Sequence, residues 1–311
     1  MIFKKLIAAC SLIAFPTAFI VTYFLKVYEI GYSLRVLIPG LIFMLTLLSM
    51  FILEQLYHYK NAVSQRRVLT RDIASTILNG FYTSTILHGL LGPSILFLPN
   101  MIFGRDVIFS SSDKLGPFWL QLILVFFFYS FIRYAVHRLQ HTIPFLWELH
   151  SYHHSVTDIR MLNLFVSHPF DYGLRNVLPG MILGLVGFDE GAVFFSAGLL
   201  STASIFSHCG SGAPSGKLLN SIFMTPEVHR WHHSTVTPEG HKYAVNYGVG
   251  LNLWDKILGT YYMPEKDGVP VPPDHMGHPE GLPDEPNYLK ILFLTRYWPK
   301  FLKTMVAGKE G

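Results

Sequence analysis

Charged residues are scarce in this chain. Lysine, arginine, aspartate and glutamate make up 14% of the 311 residues, whereas half of the residues are hydrophobic. Soluble domains carry about a quarter charged residues, so this shortage argues against an ordinary soluble protein. The net charge of +4 is modest and does not form a nucleic-acid footprint. The composition therefore predicts an integral membrane protein without a nucleic-acid partner.

Cysteine is also scarce, which excludes a disulfide scaffold. Cys10 and Cys209 are the two cysteines, and they lie far apart in the chain. Cys10 does not mark a cleaved leader either, because too few apolar residues separate it from Lys5 and the apolar run continues past it to Leu25. We therefore expect two reduced thiols and a retained N-terminal membrane span.

Long apolar runs are abundant, and a bilayer-crossing helix needs about 20 residues. Residues 6–25, 34–56 and 117–136 meet this length, and residues 74–100 form a weaker, more polar run. Residues 177–207 are apolar but interrupted by a Gly-Phe-Asp-Glu-Gly sequence, which predicts a re-entrant hairpin. The expected fold is all-α and polytopic, with about four transmembrane helices, the hairpin and a helical histidine-rich region.

The distribution of basic residues predicts the orientation. Lys4 and Lys5 precede the first run, and the loop at 57–73 is rich in lysine and arginine. The positive-inside rule then places the N-terminus and this loop in the cytoplasm. Four crossings return the chain to the cytoplasm near His137, so the C-terminus and the histidine-rich region are expected there too.

Histidines occur in three short motifs, HRLQH at 137–141, HSYHH at 150–154 and HRWHH at 229–233. On a continuous helix, His137 and His141 share one face. In each of the other two motifs, the first histidine and the one three positions later share a face, and the last points about 100° away. Such motifs can supply ligands to two neighbouring metals, because their nitrogens exceed the four positions of one structural zinc. Imidazole alone does not discriminate among iron, zinc, copper and nickel.

These motifs resemble those of the fatty acid hydroxylase and sterol desaturase superfamily of membrane di-iron oxygenases. HPFDY at 168–172 and NYGVGLNLWDKILGTYYMP at 246–264 also resemble elements of that superfamily, so the similarity covers about 117–264. It implies two Fe²⁺ ions, O₂ activation and oxidation of an unactivated C–H bond of a lipid. It also implies electrons from a small haem or iron–sulfur carrier with its reductase. Zinc can replace iron in purified material, because imidazole sites bind it readily.

The resemblance assigns nine metal ligands. These are His137, His141, His150, His153, His154, His208, His229, His232 and His233. Ser204 stands where some members have a further histidine, which disfavours a tenth ligand. Candidates to hold the outer nitrogens of these rings are His168, Glu148, Asp158, Asp171, Glu227 and Asp255. For His168 a structural role is favoured over ligation, and His275 and His278 in the Pro-rich segment are expected to be solvated.

The sequence divides into 1–116 with the N-terminal spans, 117–264 with the histidine motifs, and a Pro-rich loop and tail at 265–311. Hydroxylation is the leading activity, and desaturation at the same metal centre is the close alternative. A histidine-rich metal transporter is an alternative of another class, although transport favours ligands at the bilayer midplane. A zinc-dependent hydrolase is disfavoured, because no glutamate lies within the histidine motifs. The particular lipid and the oligomeric state stay open.

Overall fold

The computed structural model of the chain describes residues 32–57, 59, 65–83, 115–281 and 284–293. Within these ranges the protein is mostly helical, as predicted. The helices are α1 (Tyr32–Leu56), α2 (Gln65–Ser75), α3 (Phe118–Thr142), α4 (Pro144–His154), α5 (Pro169–Asn176), α6 (Leu178–Val186), α7 (Glu190–Ser207), α8 (Lys217–Ile222), α9 (Pro226–His232), α10 (Leu253–Ile257) and α11 (Tyr288–Leu292). A π-helical turn (Thr76–Thr83) continues α2, and a 3₁₀ turn (Leu162–Phe165) follows α4. Strands β1 (Glu265–Lys266) and β2 (Val269–Pro270) form a small antiparallel hairpin.

Helix α3 is the central apolar element. It begins after Pro117, as expected from the sequence, and continues through both histidines of HRLQH to Thr142. Among the described residues, it is the one helix that is long and apolar enough to cross a bilayer. Met44–Leu56 and Gly191–Ser207 are shorter apolar helical stretches. The predicted span 6–25 and most of 74–100 lie outside the described residues.

Helices α6 and α7 occupy the segment 177–207 that was predicted to form a helical hairpin, and the entry of this hairpin into a membrane stays a prediction. Gly187 ends α6 with a left-handed φ of 91°, which glycine adopts without a Cβ clash. Asp189 then caps α7, since its carboxylate accepts from the backbone N–H groups of Gly191 and Ala192 at 2.8 and 3.2 Å. Both helices pack on α3, so α3, α6 and α7 share one apolar core.

Hydrogen bonds and ion pairs of two buried acidic residues attach α1 and α2 to the histidine-rich region. Glu54 of α1 accepts hydrogen bonds from the backbone N–H groups of Met161 and Gly210, each at 2.9 Å. Asp72 of α2 is paired with Arg71 at 2.6 Å and with Arg160 at 3.3 Å. These contacts use buried charges with partners, so they can orient the helices without leaving a charge uncompensated.

The Pro-rich segment after β2 returns to the end of the third histidine motif. The backbone N–H of Gly277 donates to the His233 carbonyl at 3.0 Å, and the N–H of Thr235 donates to the His275 carbonyl at 3.1 Å. This part of the predicted loop is therefore ordered against the end of α9 rather than extended into solvent.

Candidate metal centre

Local helix signals place the histidines at the ends of four helices. Pro144 is the first residue of α4 and ends α3 at the residues before it, since proline disfavours helix at its N-terminal side. Thr225 caps α9 with its hydroxyl, which accepts from Val228 N–H at 3.4 Å. α3 supplies His137 and His141, α4 supplies the second motif, α9 and its C-cap supply the third, and the C-cap of α7 is His208.

The nine predicted ligands come together in two adjacent groups. The five-histidine group consists of His137, His141, His150, His154 and His232, and the four-histidine group consists of His153, His208, His229 and His233. All nine residues are buried. The groups are in contact, because the rings of His154 and His233 are stacked with their centroids 4.4 Å apart. The sequence therefore identified the histidines that come together, but not which of them belong to each group.

The division within each motif differs from the expected one. We expected His150 and His153 to share a face with His154 apart, whereas His150 and His154 belong to one group and His153 to the other. The third motif repeats this arrangement in the opposite sense, with His229 and His233 in the four-histidine group and His232 in the five-histidine group. The reason is that residues four apart on a helix face the same side as closely as residues three apart do.

The spacing of the ring nitrogens fits one metal ion per group. The possible ligand atoms of each group lie within 4.8 Å of one another. Two nitrogens on opposite sides of an ion are about 4.2 Å apart, and two at right angles are about 3 Å apart, for metal–nitrogen bonds of about 2.1 Å. The Nε2 atoms of His154 and His232 are 3.0 Å apart, and those of His208 and His229 are 2.9 Å apart.

Several ring nitrogens within the groups have no hydrogen-bond partner among the described residues. The Nε2 atoms of His137, His141 and His150 are buried and have no hydrogen-bond partner among the described residues. Buried polar atoms without partners are costly, so a cluster of them indicates a ligand. A metal ion is the ligand that several converging neutral imidazoles suit best.

In three of the rings, a backbone carbonyl holds the Nδ1 atom. His137 Nδ1 donates to the Tyr247 carbonyl at 2.9 Å, and His232 Nδ1 donates to the Val245 carbonyl at 2.8 Å. His153 Nδ1 faces the carbonyl of Val166 at 3.2 Å. Because a carbonyl only accepts, each of these rings carries its proton on Nδ1 and leaves the Nε2 lone pair for a metal.

Burial keeps these rings neutral. It lowers the pKa of His232 to about 4, although the hydrogen bond to Val245 opposes this shift. Burial is also the main cause of the lowered pKa values of the other rings outside α3, which are His150, His153, His154, His208, His229 and His233. Nearby imidazoles lower these pKa values further, and Arg175 does so for all of them except His154. Neutral imidazole is the form that binds metals.

Asp171 is the predicted acid that does contact a ligand ring. Its carboxylate accepts from His150 Nδ1 at 3.1 Å and from Arg175 Nη2 at 3.1 Å. Gln140 and Ser167 donate to the same carboxylate. Burial raises the pKa of Asp171, and the Arg175 guanidinium opposes that rise. HPFDY thus supplies an orienting carboxylate for His150.

The other predicted acids have different roles. Glu227 accepts from Ser215 N–H at 2.8 Å and from Asn220 Nδ2 at 3.0 Å, and neither Glu227 nor Glu148 hydrogen-bonds to a ring among the described residues. His168 caps α5 by accepting from Phe170 N–H at 3.2 Å, which agrees with the structural role favoured for it.

Asp255 acts on the ligands through the backbone. It accepts from the N–H groups of Tyr247 and Gly248 at 2.7 Å each and from the Thr260 hydroxyl at 2.7 Å. Gly248 is required at this close approach, since a Cβ there would lie 2.4 Å from the Leu251 carbonyl oxygen. Asp255, which was a candidate to hold an imidazole, instead holds the backbone at Tyr247, whose carbonyl accepts from His137.

His278 was predicted to be solvated, and this prediction was wrong. It is 3% exposed, and its ring centroid lies 5.3 Å from that of Trp147. Trp147 in turn lies 5.0 Å from His141 and 5.4 Å from His154, so it belongs to the wall of the centre. No periodic pattern predicts either contact, because residues 277–278 reach the site through long-range packing. His275 is exposed, as expected.

A cavity of about 370 Å³ opens onto the five-histidine group. His141, His154 and His232 form part of its wall, with Trp147 and Trp231 beside them. None of the four-histidine group is among the lining residues that the structure describes. A small molecule in this cavity would lie beside the five-histidine group.

Comparisons with known proteins agree with these features. A family model described as "Fatty acid hydroxylase" matches residues 122–260. The ornithine lipid hydroxylase OlsE of Rhizobium tropici is 33% identical over 150 residues, which cover 48% of this chain and 44% of the relative. An alkylglycerol monooxygenase of Caenorhabditis elegans is 27% identical over 158 residues, covering 48% and 28%. A Delta(7)-sterol 5(6)-desaturase of Aspergillus fumigatus is 23% identical over 211 residues, covering 67% and 56%.

In each of these relatives, the match spans less than two thirds of the relative's own length. No solved structure shows significant similarity to the chain. The matched segment contains all nine clustered histidines as well as Asp171 and Asp255. Residues 122–260 of this chain, which hold the clustered histidines, are thus similar to the fatty acid hydroxylase family model and to enzymes named as lipid hydroxylases and desaturases.

Proposed function

We propose that this protein is a membrane-bound di-iron oxygenase that hydroxylates an unactivated C–H bond of a lipid. The observation that carries this proposal is the pair of adjacent groups of five and four buried, neutral imidazoles. Nine nitrogens exceed the needs of one ion and suit two ions with positions left for other ligands.

Iron is the proposed metal, and the nine clustered histidines are its proposed ligands. When bound, the iron pair supplies the activation of O₂. The overall reaction converts C–H to C–OH with one atom of O₂, while the other atom leaves as water. Two electrons and two protons complete the balance, and the electrons come from a separate haem or iron–sulfur carrier.

The protein's own residues hold and orient the metal ligands. The carbonyls of Val166, Val245 and Tyr247 and the Asp171 carboxylate hold the outer ring nitrogens. Such outer partners fix ring orientation and strengthen metal binding. Trp147 packs beside His141 and His154, with ring centroids 5.0 and 5.4 Å away, and so supports the orientation of these two rings.

The proposed environment is a bilayer with the centre on its cytoplasmic side. α3 is long enough to cross and exposes Trp119, Phe127 and Phe128. α1 exposes further apolar side chains, such as Met44 and Leu45 at 61% and 65%. Exposed apolar surface of this extent suits lipid contact. Four spans, a hairpin and cytoplasmic termini remain the proposed topology, supported by the basic loop at 57–73.

Desaturation is the alternative with a specific observation in its favour, namely the similarity to a sterol desaturase. It would use the same centre and remove two hydrogens without adding oxygen. Metal transport is not supported, because the relatives are named as lipid-oxidising enzymes.

The test is oxidation of a lipid extract by the purified, iron-loaded protein in bilayer discs with a chemical reductant and isotopically labelled O₂. We expect a lipid product that carries one labelled oxygen atom and is absent with His232→Ala. A product that lacks two hydrogens and carries no label would identify a desaturase. No product from any lipid class, with both metals bound, would refute the proposal.

A further inference from the structure

The cavity beside the five-histidine group has an unusual wall for a site that would bind an alkyl chain. Among its described lining residues, Val236 and Ala244 are the aliphatic ones, and leucine, isoleucine, phenylalanine and methionine do not occur. Hydroxyl-bearing Thr142, Ser234 and Thr237 share the wall with two tryptophans and several prolines. Polar groups in a pocket fix the orientation of a polar ligand, and an alkyl chain gains nothing from them.

The charge of the wall has one sign. Lys242 is its charged residue, and no aspartate or glutamate is among the described lining residues. Lys242 is exposed and lies over the Tyr243 ring, with Nζ 5.2 Å from the ring centroid. It forms no ion pair with a carboxylate among the described residues. An ammonium group in this position is available to bind an anionic oxygen.

The mouth of the cavity adjoins an apolar surface at the end of α3. Thr142 and Pro144 line the cavity. Their neighbours Leu139, Ile143 and Phe145 are exposed, at 46%, 41% and 62%. Alkyl chains can therefore lie along this surface outside the cavity while a polar group enters it.

We propose that the cavity receives the polar headgroup of a lipid that bears a phosphate or carboxylate, with Lys242 as the residue that binds the anion. This inference rests on the proposed function and specifies its substrate. The tails stay against the apolar end of α3, so the carbon that reaches the five-histidine group belongs to the headgroup or is attached to it. Oxidation far along an acyl chain would instead place that chain beside Lys242 and the hydroxyl-bearing side chains of the wall, which offer an alkyl chain no specific contact.

Binding can be measured without turnover, because Trp147 and Trp231 line the cavity. The probe is dihexanoylphosphatidylglycerol below its critical micelle concentration, added to the metal-loaded protein in neutral detergent without reductant. We expect a saturable change in tryptophan fluorescence and no such change with dihexanoylglycerol, which lacks the phosphate.

Three variants test the role of Lys242. Lys242→Ala should weaken binding of the probe at least about fivefold, as expected for loss of a charge-assisted contact. Lys242→Arg should stay within about twofold because it keeps the charge, and so should Lys256→Ala. Lys256 is a matched exposed lysine outside the cavity, bonded to Ser221. Equal binding by wild type and Lys242→Ala would overturn the assignment, and an equal response to inorganic phosphate alone would show an anion site rather than a lipid site.

The position of the added oxygen tests the second half of the proposal. Fragmentation of the labelled product in a mass spectrometer should place the oxygen in the headgroup fragment. A label in the middle or at the end of an acyl fragment would overturn this inference but leave the proposed function intact. Complete absence of labelled product would instead count against the proposed function, so the two failures are distinguishable.

Discussion

At the scale of single residues, the centre depends on which nitrogen of each ring is free. A carbonyl or carboxylate behind a ring takes the proton, and the opposite lone pair then points into the group. His137, His150 and His232 show this arrangement with Tyr247, Asp171 and Val245. Loss of such a partner should change metal binding even though no ligand is removed.

Replacing Asp171 with asparagine should weaken metal binding at the five-histidine group. The amide can accept from His150 but cannot balance the Arg175 charge, and loss of outer partners typically costs about 10–100-fold in metal affinity or activity. Metal content after dialysis against a graded chelator measures this. Asp267→Asn is the matched control, since Asp267 lies in the exposed turn of the β-hairpin. Unchanged metal affinity in Asp171→Asn would contradict the orienting role.

The two groups should respond differently to loss of one ligand. His229→Ala leaves three imidazoles in the four-histidine group, whereas His150→Ala leaves four in the five-histidine group. We expect His229→Ala to retain about one metal per chain and His150→Ala to retain nearer two, because four nitrogens still complete a site. Elemental analysis of the purified variants gives the ratio. Identical metal losses in the two variants would argue that the groups bind as one unit.

His275 and His278 lie in the same segment, but His278 is buried and His275 is exposed, so their replacement tests whether burial at the centre matters for activity. His278→Ala removes a buried ring that packs on Trp147, so oxygenation should fall at least about fivefold as the cavity wall shifts. His275 is exposed, and His275→Ala should change activity by less than about twofold. The measurement is initial rate of lipid oxygenation at equal metal content. Equal rates for both variants would remove His278 from the wall of the centre.

At the scale of elements, the turn at residues 246–248, between α9 and α10, links Asp255 to the ligand rings. Asn246 has a left-handed φ of 57°, and its side chain bonds the carbonyls of Val228 and Tyr262 at 3.0 and 2.7 Å. Asp255 holds the next two N–H groups. The turn thereby presents the Val245 and Tyr247 carbonyls to His232 and His137.

Replacing Asp255 with asparagine should loosen this turn. The amide nitrogen would face backbone N–H donors, and a buried donor left without an acceptor costs about 1–3 kcal/mol. We expect a lower free energy of unfolding, a lower melting temperature and weaker metal binding at the five-histidine group. Thermal denaturation in detergent, with Asp267→Asn as control, measures the stability change. A melting temperature equal to that of the control would show that the turn does not depend on Asp255.

At the scale of the whole molecule, the number of membrane crossings decides whether all nine histidines lie on the cytoplasmic side, as proposed. Within the described residues α3 is the helix that meets the length and composition of a span. The remaining crossings are predictions from hydropathy and from the basic loop at 57–73.

A reporter fused after Gly311 and one inserted in the 57–73 loop should both read cytoplasmic, and one at Ser111 should read external. The physical reason is the energetic preference of lysine- and arginine-rich loops for the cytoplasmic side. Protease protection of sealed vesicles offers an independent measurement. An external reading at the C-terminus would separate the histidine motifs from the cytoplasm and require a different number of spans.

Composition and local spacing by themselves predicted the helical class, the start of α3 after Pro117 and the eight histidines of the three motifs as candidate metal ligands, and the family resemblance added His208. Apolar runs and repeated histidines are local features of the sequence. Helix geometry therefore predicts from them how long a helix is and which side chains share one of its faces. Only the tertiary structure decided that His153 and His154 serve different groups, that His278 is buried against Trp147, and that Asp255 supports a carbonyl instead of a ring. These features depend on which distant segments pack together. Residues three apart and residues four apart on a helix both share a face, so local spacing alone cannot decide which pair serves one group.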